Sequence, residues 1–250
     1  MSSDPDRSIA EYLIGIGDDE LILAHRDSEW TGHAPILEED IAFANIALDE
    51  MGHAAAWYRL AGELQGQSAE TYPDELVFAR KPDEFRNIQM VELPNGDWAF
   101  SLMRQYLFDS LETVRLKALV ESDWDPLADT AAKIRPEELY HLRHTKAWVR
   151  RLGLGTEESN QRMQNALDEL YPYALQPFST SGNEFSALPD IKSLRQAWKA
   201  EIQPLLAESN LNIPSVTDSP VRSREEHTSY LPMLIEEMQM VARTETEAQW

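Results

Sequence analysis

Glu50 and His53 stand three residues apart in LDEMGHAA, and Glu138 and His141 repeat the spacing in EELYHLRH. Three residues is close to one helical turn. Both side chains of each pair therefore project the same way and can share one ion or bond one another. Both pairs have surroundings that are apolar except for Thr145. The positions on the helix face of Glu50 and His53 carry Phe43, Ile46, Ala47, Ala54, Trp57 and Ala61. Those around Glu138 and His141 carry Ala131, Ile134, Leu142, Thr145, Trp148, Val149 and Leu152. Apolar stripes at this period are the buried faces of helices. A carboxylate on such a stripe must be paired, protonated or metal-bound, because burying it alone costs several kcal/mol.

Two Glu-x-x-His pairs on facing helices suit a dinuclear metal site, in which each remaining helix of a bundle supplies one more carboxylate. The first long helical pattern offers Leu13, Ile16, Gly17, Glu20, Leu23 and Ala24, with Glu20 the lone acid. The third offers Leu102, Tyr106, Asp109, Thr113, Leu116 and Val120, with Asp109 the lone acid and Glu112, one turn on, the alternative. Glu20 precedes Glu50 by 30 residues and Asp109 precedes Glu138 by 29. The expected metal ligands are Glu20, Glu50, His53, Asp109, Glu138 and His141. With 44 acids and six histidines, such a spacing arises about once by chance. The signal is the recurrence of an acid on four apolar stripes. The competing expectation is a polar core network of Glu–His hydrogen bonds. Pro136, two residues before Glu138, either kinks the fourth helix or starts a new one.

These side chains need long helices to hold them. Helices are expected over about 8–28, 35–64, 96–122 and 125–153. Shorter ones follow at about 158–173, 189–208 and 222–243, with a further short helix near 82–91. Pro35 and the acidic run Glu38-Glu39-Asp40 mark a helix start. Period-two alternation is nearly absent, so the fold class is all-α. Four long helices with short links within each pair, and about 30 residues between the pairs, predict a ferritin-like four-helix bundle with additional C-terminal helices. The whole chain, 1–250, is expected to form a single domain, with core helices at 8–152 and additions at 158–243.

Composition excludes several classes. There is no cysteine, so any metal is held by His, Asp or Glu. A net charge of -22 disfavours nucleic acid as a partner. It gives a solvated acidic surface, of a kind that also suits a salt-rich cytoplasm. No apolar run has membrane-spanning length, and MSSDPDRSIAEYLIG lacks the pattern of a secretory signal, so a cytoplasmic protein is expected. His25 and His33 flank the turn after the first helix and are read as packing residues. His144, Tyr106 and Tyr140 are neighbours of the expected site. Trp30, Trp57, Trp98 and Trp148 are read as core anchors. The Met-rich LPMLIEEMQMVA suits either a partner surface or packing on its own bundle.

DDELILAHRDSEWTGHAPILEEDIAFANIALDEMGHA resembles the opening of the PaaC family, the C subunits of the bacterial and archaeal phenylacetyl-CoA epoxidase complex. FRNIQMVELPNGDWAFSLMRQYLFD, ELYHLRH, NQRMQNALDELYPYA and HTSYLPMLIEEMQ extend the resemblance over nearly the whole chain. The resemblance implies a ferritin-like, cytoplasmic component of a monooxygenase acting in aerobic phenylacetate breakdown. It implies that the partner is a homologous, catalytic A-type chain, with a di-iron site and the CoA thioester bound there. It also implies other complex subunits and a separate NADPH-dependent reductase, with the C-type chain itself structural. Some C-type chains carry Leu and Gln where Glu50 and His53 stand here; this chain keeps all six acids and imidazoles. If two iron ions (or manganese) bind, Glu50 and Glu138 are expected to bridge, His53 and His141 to be terminal, and Glu20 and Asp109 to complete the ends. The alternatives are an independently catalytic di-iron oxygenase and, lower in rank, a ferroxidase bundle.

Overall fold

The structure is a computed structural model that describes residues 5–179, 187–221 and 223–244. Among these residues there is no strand. The helices in chain order are α1 (Pro5–Ser28), α2 (Leu37–Leu64), α3 (Tyr72–Phe78), α4 (Gln89–Glu92), α5 (Trp98–Leu119), α6 (Asp125–Gly153), α7 (Glu157–Ala174), α8 (Ile191–Glu208), α9 (Leu231–Met238) and α10 (Met240–Thr244). Single 3-10 turns lie at Pro82–Glu84 and Gln176–Phe178. No described helix is long and apolar enough to cross a membrane. The chain divides into two compact units: Met1–Pro94 with Arg224–Trp250, and Asn95–Ser223.

In the first unit α1 and α2 form an antiparallel hairpin around Leu13, Ile16, Leu23, Phe43, Ile46 and Trp57, all buried. The turn between them uses Gly32 at φ 80°, which a residue with a Cβ rarely adopts. Gly17 allows the closest approach. A Cβ there would lie 2.7 Å from the Tyr58 ring. Its absence lets Tyr58 cross α1 and donate its hydroxyl to Asp18 at 2.6 Å. The region expected to hold one short helix instead holds α3, a 3-10 turn and α4.

The expected helix over 222–243 is a correction. Arg222 lies outside the described residues, 223–230 is irregular, and helix begins only at Leu231. The cause is competition for the backbone and side chains of this stretch. The Thr228 N–H donates to Glu92 Oε2 at 2.6 Å, and the Arg224 guanidinium lies on Asp19 at 2.9 Å. Pro232 then sits in the first turn of α9, where its missing N–H costs nothing.

In the second unit α5 and α6 form the other long antiparallel hairpin, and α7 and α8 pack beside α5. Asp97 sets the start of α5 by accepting the Phe100 N–H at 2.9 Å, so the helix opens at Trp98 rather than Gly96. Asp190 caps α8 on Ser193 in the same way. Trp198 on α8 stacks on Tyr171 at 5.7 Å between ring centroids and donates Nε1 to the Leu107 carbonyl at 3.2 Å. Helix α6 continues through Pro136 without a break, so Glu138 stands inside the helix and not at the start of a new one.

Candidate metal centre

Each long hairpin carries one triad of two carboxylates and an imidazole. In the first unit Glu20 projects from α1, and Glu50 and His53 from α2. Glu20 and Glu50 are fully buried and His53 nearly so. His53 Nδ1 lies 3.7 Å from Glu20 Oε2 and 4.0 Å from Glu50 Oε2. One donor atom from each of the three falls within 4.8 Å of the others, a spacing that suits a single cation.

Glu20 ends a run of three acids, Asp18-Asp19-Glu20, all completely buried. The first two are neutralised by arginines. Asp18 takes Arg80 Nη1 at 3.0 Å and Nη2 at 2.5 Å, the Tyr58 hydroxyl and the Arg86 N–H. Burial works against the Arg80 charge, but Asp18 outweighs it and raises the guanidinium's pKa. The Tyr58 hydroxyl is pushed well up by burial and by Asp18. Asp19 takes both Arg224 nitrogens at 2.9 Å and the Ile88 N–H at 2.7 Å. Nearby Glu92 is met by Asn87, His227 and Thr228. Glu20 differs from all of these. Among the described residues neither of its oxygens accepts a hydrogen bond, and its charge neighbour is His53. Charge balance in this core is supplied for every acid of the run except the one on the triad. The donor set and this carboxylate fit a bound cation.

In the second unit Asp109 comes from α5, and Glu138 and His141 from α6, all fully buried. His141 Nδ1 lies 3.3 Å from Glu138 Oε1, and donor atoms of the three residues fall within 4.8 Å of one another. Asp109 is held in place by Gln105 Nε2 at 2.8 Å and Thr145 Oγ1 at 2.7 Å. Burial first, then the Glu138 charge, push the Asp109 carboxyl well above the usual carboxylate range, against the opposing pull of His141. Glu112, the alternative to Asp109, is engaged in an ion pair with buried Arg115.

The remaining candidates have more ordinary roles. His33 is exposed and contacts the Thr31 carbonyl. His25 packs 3.9 Å from Glu237 of α9, and burial lowers its pKa. Tyr106 is buried and donates its hydroxyl to the Ile202 carbonyl of α8 at 3.3 Å, and Tyr140 is half exposed. Trp57 is a fully buried anchor, and Trp98 meets Trp148 edge to face at 6.3 Å. The sequence reading missed Arg80 and Arg224, which neutralise Asp18 and Asp19, and His227, which lies within hydrogen-bond distance of Glu92. The signal was the run of three acids inside an apolar helix, which demands cations brought from elsewhere in the chain.

All-helical architecture with buried carboxylate and imidazole triads on two long hairpins defines a protein of the ferritin-like helical class. Its sequence matches the phenylacetic acid catabolic protein family over residues 1–250, and the chain belongs to that family. It is 36% identical to the C subunit of the 1,2-phenylacetyl-CoA epoxidase of Escherichia coli (strain K12) over 248 residues, covering 97% of this chain and 99% of that protein. It is also 26% identical over 173 residues to the A subunit of the same epoxidase, covering 69% of this chain and 53% of that one.

Proposed function

We propose that this chain is the C-type component of an oxygenase complex that epoxidises the aromatic ring of phenylacetyl-CoA. In this reading residues 1–250 act as one ferritin-like domain in the cytoplasm, pairing with a homologous A-type chain. Electrons come from a separate NADPH-dependent reductase. The observation that carries the reading is similarity to the epoxidase's C-type chain over essentially the full length of both proteins, joined by weaker similarity to its A-type chain.

We also infer that the six buried residues furnish a two-iron donor set: Glu20, Glu50 and His53 for one ion, and Asp109, Glu138 and His141 for the other. Four carboxylates balance the four charges of two ferrous ions, and the imidazoles add neutral donors. A bound iron pair would supply the electrons for reductive activation of dioxygen. The chain's own part is to hold and shield. Gln105 and Thr145 fix the orientation of Asp109. Phe43 and Trp57, fully buried on the Glu50 face of α2, keep water away. The retained donors favour a second reading, in which the chain itself catalyses.

The test is reconstitution of phenylacetyl-CoA consumption from the A-type chain, reductase, NADPH and oxygen, with and without this chain. Turnover that requires the chain, unchanged in the Glu50→Ala/His141→Ala variant, supports an organising role. Turnover that the variant abolishes supports catalysis here. Equal turnover without the chain would overturn the reading as a component of the complex.

A further inference from the structure

Helix α6 carries Ile134, Glu138, His141 and Val149 into the core on its inner face. On its outer face Asp129, Ala132, Pro136, Tyr140, Arg143 and Ala147 are all exposed. Their steps of three and four make one continuous seam along the helix. The seam is acidic at its start, small and apolar in its middle, and basic toward its end. Acids in the first turn and bases in the last answer the helix dipole, which accounts for Asp125, Arg150 and Arg151. The dipole does not account for Asp129 and Arg143, which lie inside those turns. Among the described residues neither has an ion-pair partner, and Arg143 lies over the Tyr140 ring, 5.4 Å from its centroid. Tyr140 is itself 50% exposed. Pro136 brings no N–H into the helix, so the Ala132 carbonyl on this face lacks its usual helical donor.

We propose that the outer face of α6 pairs with the same face of a second copy of this chain, antiparallel about a two-fold axis at Pro136. Residues equally far on either side of Pro136 then face one another across the axis. Asp129 and Arg143 each stand seven residues from Pro136, on opposite sides, and Ala132 and Tyr140 each stand four. Asp129 of each copy therefore meets Arg143 of the other, twice in one dimer. Tyr140 of each copy fits over the small Ala132 of the other, and its hydroxyl is offered the carbonyl that Pro136 leaves open. Charge also selects the register and direction. A slip of one turn sets Lys133 against Arg143, and a parallel arrangement sets Asp129 against Asp129 and Arg143 against Arg143. The inference stands independently of the functional reading above.

The experiment is analytical ultracentrifugation of the full chain. At about 0.15 M salt the repulsion between two acidic molecules is screened beyond about 8 Å, while charges in contact still act. Wild type should form a reversible dimer. Asp129→Arg and Arg143→Asp should each weaken it at least about 100-fold, because each change acts twice in one dimer and sets like charges in contact. Helix content and melting temperature should match wild type, because both side chains are exposed. An equimolar mixture of the two variants should dimerise again, since the reversed charges then complement one another at both contacts. If either variant does not fold, Tyr140→Ser is used, with a loss of about tenfold expected. A wild-type chain that stays monomeric at about 100 µM overturns the proposal. So does a dimer that the variants keep at wild-type strength, or one that their mixture fails to restore.

Discussion

Replacing Glu20 by Gln should stabilise the metal-free protein and remove the part of its response to iron that comes from the Glu20, Glu50 and His53 triad. Asp18, Asp19 and Glu20 are equally buried, yet Arg80 and Arg224 neutralise only the first two. The amide is nearly the same shape as the carboxylate and removes a buried charge that no arginine meets. Relief of unfavourable burial of this kind amounts to about 1–3 kcal/mol. For a chain of this size each kcal/mol moves the melting temperature by roughly 2–4 °C, so a rise of about 2–12 °C is expected. With ferrous ion at 100 times its dissociation constant the wild type gains about 2.7 kcal/mol, and the variant gains nothing from the ion that its triad no longer holds. The order of stability should therefore move toward the wild type, or cross, when anaerobic ferrous ion is added. Differential scanning calorimetry at about pH 8, above the ordinary imidazole range, keeps the histidine contribution out of the comparison. A Glu20→Gln protein no more stable than wild type without metal, and equally stabilised by iron, would refute the argument from charge balance.

Two further outcomes follow from the same core. Burial lowers the His25 pKa, so the unfolded chain binds more protons than the folded one just below about pH 6.5; stability contributed there is complete above that value and falls as pH drops toward the folded pKa. His25→Gln should flatten urea-unfolding stability across that interval, and an unchanged pH slope would contradict it. Arg224→Ala should destabilise by about 3–5 kcal/mol, because it leaves fully buried Asp19 without its guanidinium and frees the Gly15 and Arg86 carbonyls. Limited proteolysis should then cut between 223 and 230, and resistance equal to wild type would show that the segment is held by other means.

The candidate metal ligands were largely legible in sequence. Glu50 and His53, and Glu138 and His141, are three apart on stripes whose other members, Thr145 excepted, are apolar, and helical geometry then fixes their shared direction. Asp109 over Glu112 was legible as the acid in phase with Leu102 and Leu116, and Arg115 accounts for the other. What did not show was the partner of each buried acid. Arg80 and Arg224 lie 62 and 205 residues from the aspartates they meet, and no local pattern encodes such pairs. The last helix was misread for the same reason. Residues 223–230 contain no Gly or Pro to stop a helix, but the bonds from Arg224 and Thr228 to Asp19 and Glu92 hold that stretch out of one. The exposure of Leu37, Ile41, Leu48 and Met51 on the outer side of α2 was hidden by the helix's own inner face, since a helix apolar on two sides shows little contrast in sequence.

This chain is proposed to hold metal through Glu20, Glu50, His53, Asp109, Glu138 and His141. The most direct measurement is iron per chain after anaerobic ferrous reconstitution and desalting, for wild type and for Glu50→Ala/His141→Ala. About two irons per wild-type chain are expected, one ion for each triad, with none retained by the variant. Equal and negligible iron in both proteins would contradict the claim, leaving the six residues as a buried polar network in an organising component of the complex.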